Sequence, residues 1–257
     1  MKNNNALSTV KLKNPKSLFK KPISVDLYYG KDQPGSFMLN RSGFDIFTLH
    51  VTQTTNWDKK SVEYHWNSLG LRGPEPDYNS NNRILFAGGS LCLGTGISVE
   101  DSFSYVLANK LNASYINLSD VDTLSDLIEP LKKFVDFNPT LVVINDTRFI
   151  QLYGWVLIDM LKVKDIENTD LYKTVFPECD RNFLLLFESY LKTLFPNATL
   201  VLSYCVRRAF KIDMPNFNHF KVVRFEKTDV VDVARDNNHP GIESHKNFAE
   251  KIYNSIM

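Results

Sequence analysis

The 257-residue sequence predicts a three-layer α/β/α domain around a mostly parallel five-stranded sheet, preceded by an irregular, β-rich N-terminal extension. Three observations predict it. From Arg83 onward, short apolar runs alternate with helical patterns. The runs are rich in β-branched and aromatic residues and several are nearly continuous, as strands covered on both faces require. Residues 1–82 show neither pattern and are broken by Gly and Pro turns.

In chain order, the extension covers residues 1–82. Its alternating patches, "FDIFTLHV" at Phe44–Val51 and "SVEYHW" at Ser61–Trp66, read as short strands, and the polar "DYNSNN" at Asp77–Asn82 reads as the linker to the main domain. Residues 83–257 form that domain. Its expected strands are Arg83–Gly88, Ser114–Ser119, Thr140–Asn145, Ala198–Cys205 and Phe220–Phe225. Helices separate most of them. In Ser98–Leu111 the residues Phe103, Val106, Leu107 and Leu111 fall on one stripe, and Ser98 with Asp101 three residues on suits an N-terminal cap. A second stripe runs through Thr123–Phe137, where Pro130 must kink the helix or mark a late start. Arg181–Phe195 supplies a third helix and Ser244–Ile256 closes the chain. Strand and helix alternating in this way predict a flavodoxin-like sheet, whose sites form at the carboxyl ends of the strands.

The totals narrow the function classes. Hydrophobic residues make up 43% of the chain, enough for one core. Thirty basic residues against 29 acidic ones leave a net charge of +1, so no global field steers the protein to nucleic acid or to an anionic membrane surface. Cys92, Cys179 and Cys205 are too scattered for a disulfide framework or a metal-binding spacing, and His50, His65 and His219 have no ligand-like partners. No metal or cofactor is expected. The N-terminus lacks the apolar core of a signal peptide and no stretch is long enough for a membrane span, so the expected location is the cytoplasm.

The stretch "ILFAGGSLCLGTG", Ile84–Gly96, leaves a buried strand through Gly88 and Gly89 and places Ser90 at the exit. Glycines here can bring backbone N–H groups to a phosphate or lift a nucleophilic hydroxyl clear of the sheet. The order is not G-x-G-x-x-G and no P-loop lysine follows, which disfavours the phosphate. A serine hydroxyl is a weak nucleophile and needs a base, which in turn needs a carboxylate to fix its tautomer. Asp236 and His239 supply such a pair just before the last helix, and Pro240 disfavours a helical conformation at His239.

These residues resemble the SGNH (GDSL-type) hydrolases. The carboxy-terminal D-x-x-H-P block is similar at Asp236, His239, Pro240, His245, Ala249 and Ile252, and Ile84–Gly96 resembles the first block; Asn67–Glu75, "NSLGLRGPE", is similar to a segment upstream of it in some members. The resemblance implies Ser90 as nucleophile, His239 as general base and acid, and Asp236 as orienting carboxylate. It further implies an oxyanion hole from the Ser90 backbone N–H, the Ser119 N–H and the Asn145 side chain. The chemistry implied is hydrolysis of a small acyl ester, an O-acetyl group on a carbohydrate among the candidates, through an acyl-enzyme. Three positions depart from the family. Gly89 replaces the aspartate of G-D-S, Ser119 replaces a glycine, and Asn145 follows its strand without the usual intervening glycine. Asn145 therefore reads equally as an oxyanion donor or as a strand-ending residue. The departures keep two alternatives open, a weakly active or inactive glycan- or protein-binding module and an O-acyltransferase. His245 is expected to pack or cap the final helix, and Arg72 to dock the extension by pairing with a carboxylate.

Overall fold

A computed structural model describes residues 19–29, 32, 61–119, 121, 124–146, 170–205, 214–236 and 239–257, with only the backbone of Ser125, Asp146 and residues 170–180. The expected strand at Phe44–Val51, together with His50, lies outside the described residues.

Five strands form the central sheet: β3 (Arg83–Gly88), β4 (Ser114–Ser119), β5 (Leu141–Asp146), β6 (Thr199–Cys205) and β7 (Phe220–Phe225). They lie in the order β4-β3-β5-β6-β7 and every pairing is parallel. This is the doubly wound, flavodoxin-like order expected from the alternation of runs and helices. The register sets Ser119 and Asn145 on either side of Gly88, so the three stand on one rung near the carboxyl ends.

The strand side chains alternate between two cores. On one face Ile84, Phe86, Val143, Val201 and Phe225 pack with α1 (Ser90–Leu93), α2 (Phe103–Lys110) and α5 (Ile242–Ile256), through Leu91, Leu107, Phe248 and Ile252. On the other face Leu85, Ala87, Leu118, Val142, Ile144 and Leu202 meet α3 (Ile128–Lys132) and α4 (Asp170–Leu194), through Leu131, Leu184 and Leu191. Both layers exclude water from most of the sheet, which is why β3, β4, β5 and β6 lack polar alternation, whereas the edge strand β7 exposes Lys221, Val222 and Arg224. Truncating a fully buried residue such as Leu107 to alanine would cost about 2–5 kcal/mol.

The helices begin at other places than the sequence suggests. Ser98 does not cap a helix with its side chain; residues Val99–Asp101 form a 3-10 turn, and the cap of α2 is Ser102, whose Oγ accepts from the Tyr105 N–H at 3.3 Å. The Thr123–Phe137 stripe breaks into 3-10 turns at Leu124–Leu127 and Val135–Phe137 around the five-residue α3. Pro130 falls in the first turn of α3, where its missing N–H costs nothing, so it marks the late start.

The extension contributes an antiparallel pair, β1 (Ser24–Asp26) and β2 (Tyr64–Trp66). The Trp66 indole N–H donates to the Asp26 carboxylate at 2.7 Å, and Val62, Tyr64 and Trp66 pack on Leu93 of α1. The polar run Asp77–Asn82 is held along its length: the Asp77 N–H donates to Ser114 Oγ at 2.7 Å, Tyr78 lies edge-on against Phe137 at 5.2 Å, and Asn82 Nδ2 donates to the Leu111 carbonyl at 3.1 Å.

Candidate active site

β3 ends at Gly88, Gly89 is extended at the N-cap, and Ser90 is the first residue of the four-residue α1. A Cβ at Gly88 would stand 2.2 Å from the Asn145 carbonyl oxygen, so only glycine lets β5 pass this close beneath the serine corner. So short a helix has few bonds of its own to fix it. Neighbours supply them: Asn117 Nδ2 donates to the Cys92 carbonyl at 3.0 Å, and the Arg72 guanidinium donates to the carbonyls of Leu93, Gly94 and Ile97 at 2.6–2.7 Å. Arg72 thus docks the extension as expected, but on backbone carbonyls and not on a carboxylate. It is buried and sits 4.3 Å over the Tyr64 ring, and desolvation brings its pKa down to about 10, leaving it charged at neutral pH.

The turn after α1 meets the tail of the chain. Gly96 has φ +80°, and a Cβ there would stand 2.9 Å from Ala234 Cβ and 3.1 Å from the Asp236 nitrogen. Its carbonyl accepts from the Arg235 N–H at 2.9 Å. The tail segment is itself a tight loop. Val233 and Pro240 form a bridge, the Ala234 N–H donates to the His239 carbonyl at 2.8 Å, and the Asp232 carboxylate caps α5 by accepting from the Glu243 and Ser244 N–H groups at 3.0 and 2.8 Å.

These contacts bring Ser90, Asp236 and His239 together. His239 Nε2 lies 2.7 Å from Ser90 Oγ. On the other side, His239 Nδ1 pairs with Asp236 Oδ2, and the second carboxylate oxygen accepts from the His239 N–H at 2.9 Å. A carboxylate only accepts, so Nδ1 carries the ring proton and Nε2 offers its lone pair to the serine hydroxyl. The Asp236 side chain is fully buried and that of His239 is 13% exposed, so the ring faces solvent on one edge only.

Ser119 and Asn145 flank this arrangement. Ser119 ends β4 with a strand backbone and not a left-handed one, so the position does not need a glycine for conformation. Asn145 is a strand residue and fully buried; its Nδ2 donates to Ser203 Oγ at 3.0 Å, while its Oδ1 has no partner among the described residues. Both stand next to Gly88, two positions before Ser90, and neither is hydrogen-bonded to Ser90 itself.

His245 does pack, as expected, but it serves a different helix from its own. Fully buried, it stacks on Phe103 at 5.9 Å, and its Nδ1 accepts from the Phe103 N–H at 3.0 Å, satisfying a free donor at the start of α2. Burial lowers its pKa to about 3, which keeps it neutral. His65 is exposed beside Glu63, and among the described residues no three His, Cys, Asp or Glu side chains gather as a metal site would require.

Sequence reasoning missed Asp32, Tyr64, Asn117, Asp232 and Arg235. Their roles depend on contacts between remote segments, and no local spacing announces them.

No protein-family model matches the chain, and no curated protein matches it. Solved structures do. A carbohydrate esterase shares the fold with a TM-score of 0.51 at 13% identity, over 71% of this chain and 69% of its own. An acetyl xylan esterase from the rumen bacterium Butyrivibrio proteoclasticus aligns with a TM-score of 0.46 at 15% identity, over 71% of this chain and 64% of its own. A lipase from a goat rumen metagenome aligns at 0.46 and 12%, over 68% and 97%. The architecture is shared with that carbohydrate esterase, and at this identity the likeness concerns the fold alone. Among the described residues no helix is long and apolar enough to cross a membrane.

Proposed function

We propose that this chain is an SGNH-type serine esterase that hydrolyses a small acyl ester, with an O-acetylated carbohydrate as the substrate class. The observation that carries this reading is the 2.7 Å contact between Ser90 Oγ and His239 Nε2, backed by Asp236 on Nδ1. Two chain segments at opposite ends of the domain meet in the order nucleophile, base, carboxylate. The carbohydrate esterase that shares the fold supports the substrate class.

In the first half-reaction Ser90 Oγ attacks the ester carbonyl carbon as His239 Nε2 takes the hydroxyl proton, and Asp236 stabilises the resulting imidazolium. The carbonyl electrons move onto oxygen, where the Ser90 and Ser119 N–H groups donate to it together with the amide hydrogen of Asn145 that Ser203 does not hold. The oxyanion collapses, the bond to the alcohol oxygen breaks, and Nε2 returns its proton to that oxygen. Water then attacks the acyl-Ser90, giving its proton to Nε2, and the acid leaves as Ser90 regains its hydrogen.

The test is a fluorophosphonate probe together with acetylated xylo-oligosaccharides. The folded protein should be labelled at Ser90 and should release acetate, and Ser90→Ala should do neither. Folded protein that takes no label and releases no acetate would end the esterase reading; binding of the oligosaccharide that survives Ser90→Ala without turnover would point to a binding module instead.

A further inference from the structure

Next to Asp236 stands Arg235, whose side chain is 4% exposed and points back into the extension. Its Nε donates to Asp32 Oδ1 at 3.0 Å and its Nη2 to Asp32 Oδ2 at 2.5 Å, a two-pronged ion pair. The same Oδ2 accepts from the Tyr64 hydroxyl at 2.6 Å. That hydroxyl in turn accepts from the Gly96 N–H at 2.8 Å, and the Gly96 carbonyl accepts from the Arg235 N–H at 2.9 Å. The bonds close a ring: Arg235 side chain, Asp32, Tyr64, Gly96, Arg235 backbone. Asp32 and Tyr64 are fully buried. Burial and the Asp32 carboxylate push the Tyr64 ionisation well up, so the hydroxyl stays a donor across the working range of pH.

The ring joins the two segments that must meet at the site. Gly96 follows Ser90 by six residues, in a turn whose Thr95 N–H and Oγ1 both donate to the Ser90 carbonyl at 3.2 Å. Arg235 precedes Asp236 directly. We propose that Asp32, Tyr64 and Arg235 are positioning residues, by which the N-terminal extension sets the distance between Ser90 and the Asp236–His239 pair. The role rests on the esterase reading, in that the distance matters because a proton passes from Ser90 Oγ to His239 Nε2. Bonds in a buried ring stiffen one another, and a displacement of about 1 Å at reacting atoms can cost about 10²-fold in rate. A buried ion pair could instead serve stability alone, and the test separates the two.

The experiment compares wild type, Tyr64→Phe and Asp32→Asn in the full chain. Tyr64→Phe removes one oxygen and breaks the ring at two bonds while keeping the packed aromatic. Two readouts are followed in the folded fraction. One is the fluorophosphonate reaction, separated into probe affinity and the first-order labelling step. The other is the downfield proton resonance of His239 Nδ1–H on Asp236, which needs no turnover. In Tyr64→Phe the labelling step should slow about 10- to 100-fold with probe affinity unchanged, and the resonance should broaden or move upfield. Asp32→Asn should do the same in whatever fraction folds. A folded Tyr64→Phe protein with wild-type labelling rate and an unmoved resonance overturns the proposal, whatever its thermal stability. Wild-type protein that takes no label would sink the esterase reading, and the resonance would still decide whether the ring orients His239.

Discussion

His239 Nε2 stands 2.7 Å from Ser90 Oγ across 149 residues of sequence, and the same ring is held from behind by Asp236. The contact is made by two short segments: a four-residue helix after β3 and a tight loop before α5. Neighbouring segments fix both: Arg72 donates to the Leu93 carbonyl, and the Gly96 carbonyl accepts from the Arg235 N–H.

Asp236→Asn is expected to preserve the fold, because the amide is isosteric and the backbone bond to the His239 N–H can persist through its oxygen. It would favour the wrong imidazole tautomer, with the proton on Nε2 facing Ser90. Esterase kcat should fall by about 10⁴-fold. Steady-state kinetics on a model acetyl ester, with circular dichroism as the control for folding, measures it.

Gly96→Ala should damage both stability and rate. The left-handed φ of +80° costs a non-glycine residue about 1 kcal/mol, and the 2.9 Å approach of Ala234 Cβ adds crowding. Chemical denaturation should show a loss of about 1–3 kcal/mol. The labelling rate of Ser90 should fall as well, since the tail loop must back away from the serine turn. An alanine variant with wild-type stability would contradict this account of the turn.

Arg72→Met should destabilise by about 3 kcal/mol, read from urea unfolding, because buried carbonyls of Leu93, Gly94 and Ile97 lose their donors together. Arg72→Lys keeps the charge but not the planar fork, so it should recover only part of the loss. An Arg72→Lys protein as stable as wild type would show that the charge, and not the fork, docks the segment.

Acid should weaken the fold through His245. Its folded pKa is about 3 against an ordinary 6.5, so between these values the unfolded chain binds a proton that the folded chain refuses. The stability is complete above pH 6.5 and is lost as pH falls toward 3, at about 1.4 kcal/mol per pH unit. His245→Gln, which does not titrate, should flatten this slope in urea titrations between pH 6.5 and pH 4. An unchanged slope would assign the acid sensitivity elsewhere.

The sheet was legible because most of its strands are buried on both faces; the edge strand β7, with Lys221, Val222 and Arg224 exposed, is the exception. Arg83–Gly88, Ser114–Ser119 and Phe220–Phe225 read directly as apolar or β-branched runs. Helix starts were less so. α4 begins at Asp170, eleven residues before the stripe at Arg181, because the earlier part includes Pro177 and lacks a clear apolar periodicity. Ser98 looked like a cap because serine three residues before an acid fits that pattern, yet the chain spends one 3-10 turn first and caps at Ser102. At the site, the placement of Ser90, Asp236 and His239 was legible from two local motifs. Arg72 was traced to its task but not to its partners, since backbone carbonyls carry no side-chain signature. Asp32, Tyr64 and Arg235 were illegible for a related reason: three residues from three distant segments leave no spacing to read.

The Asp32–Arg235 ion pair closes a loop of 203 residues. At synthesis rates of about 5–20 residues per second, Asp32 waits roughly 10–40 s for its partner to be made. Until then the nascent extension has a carboxylate destined for burial and no cation to meet it, so it cannot dock in its final form. The contact between Ser90 and His239 would therefore form late, once residues 235–239 have been made.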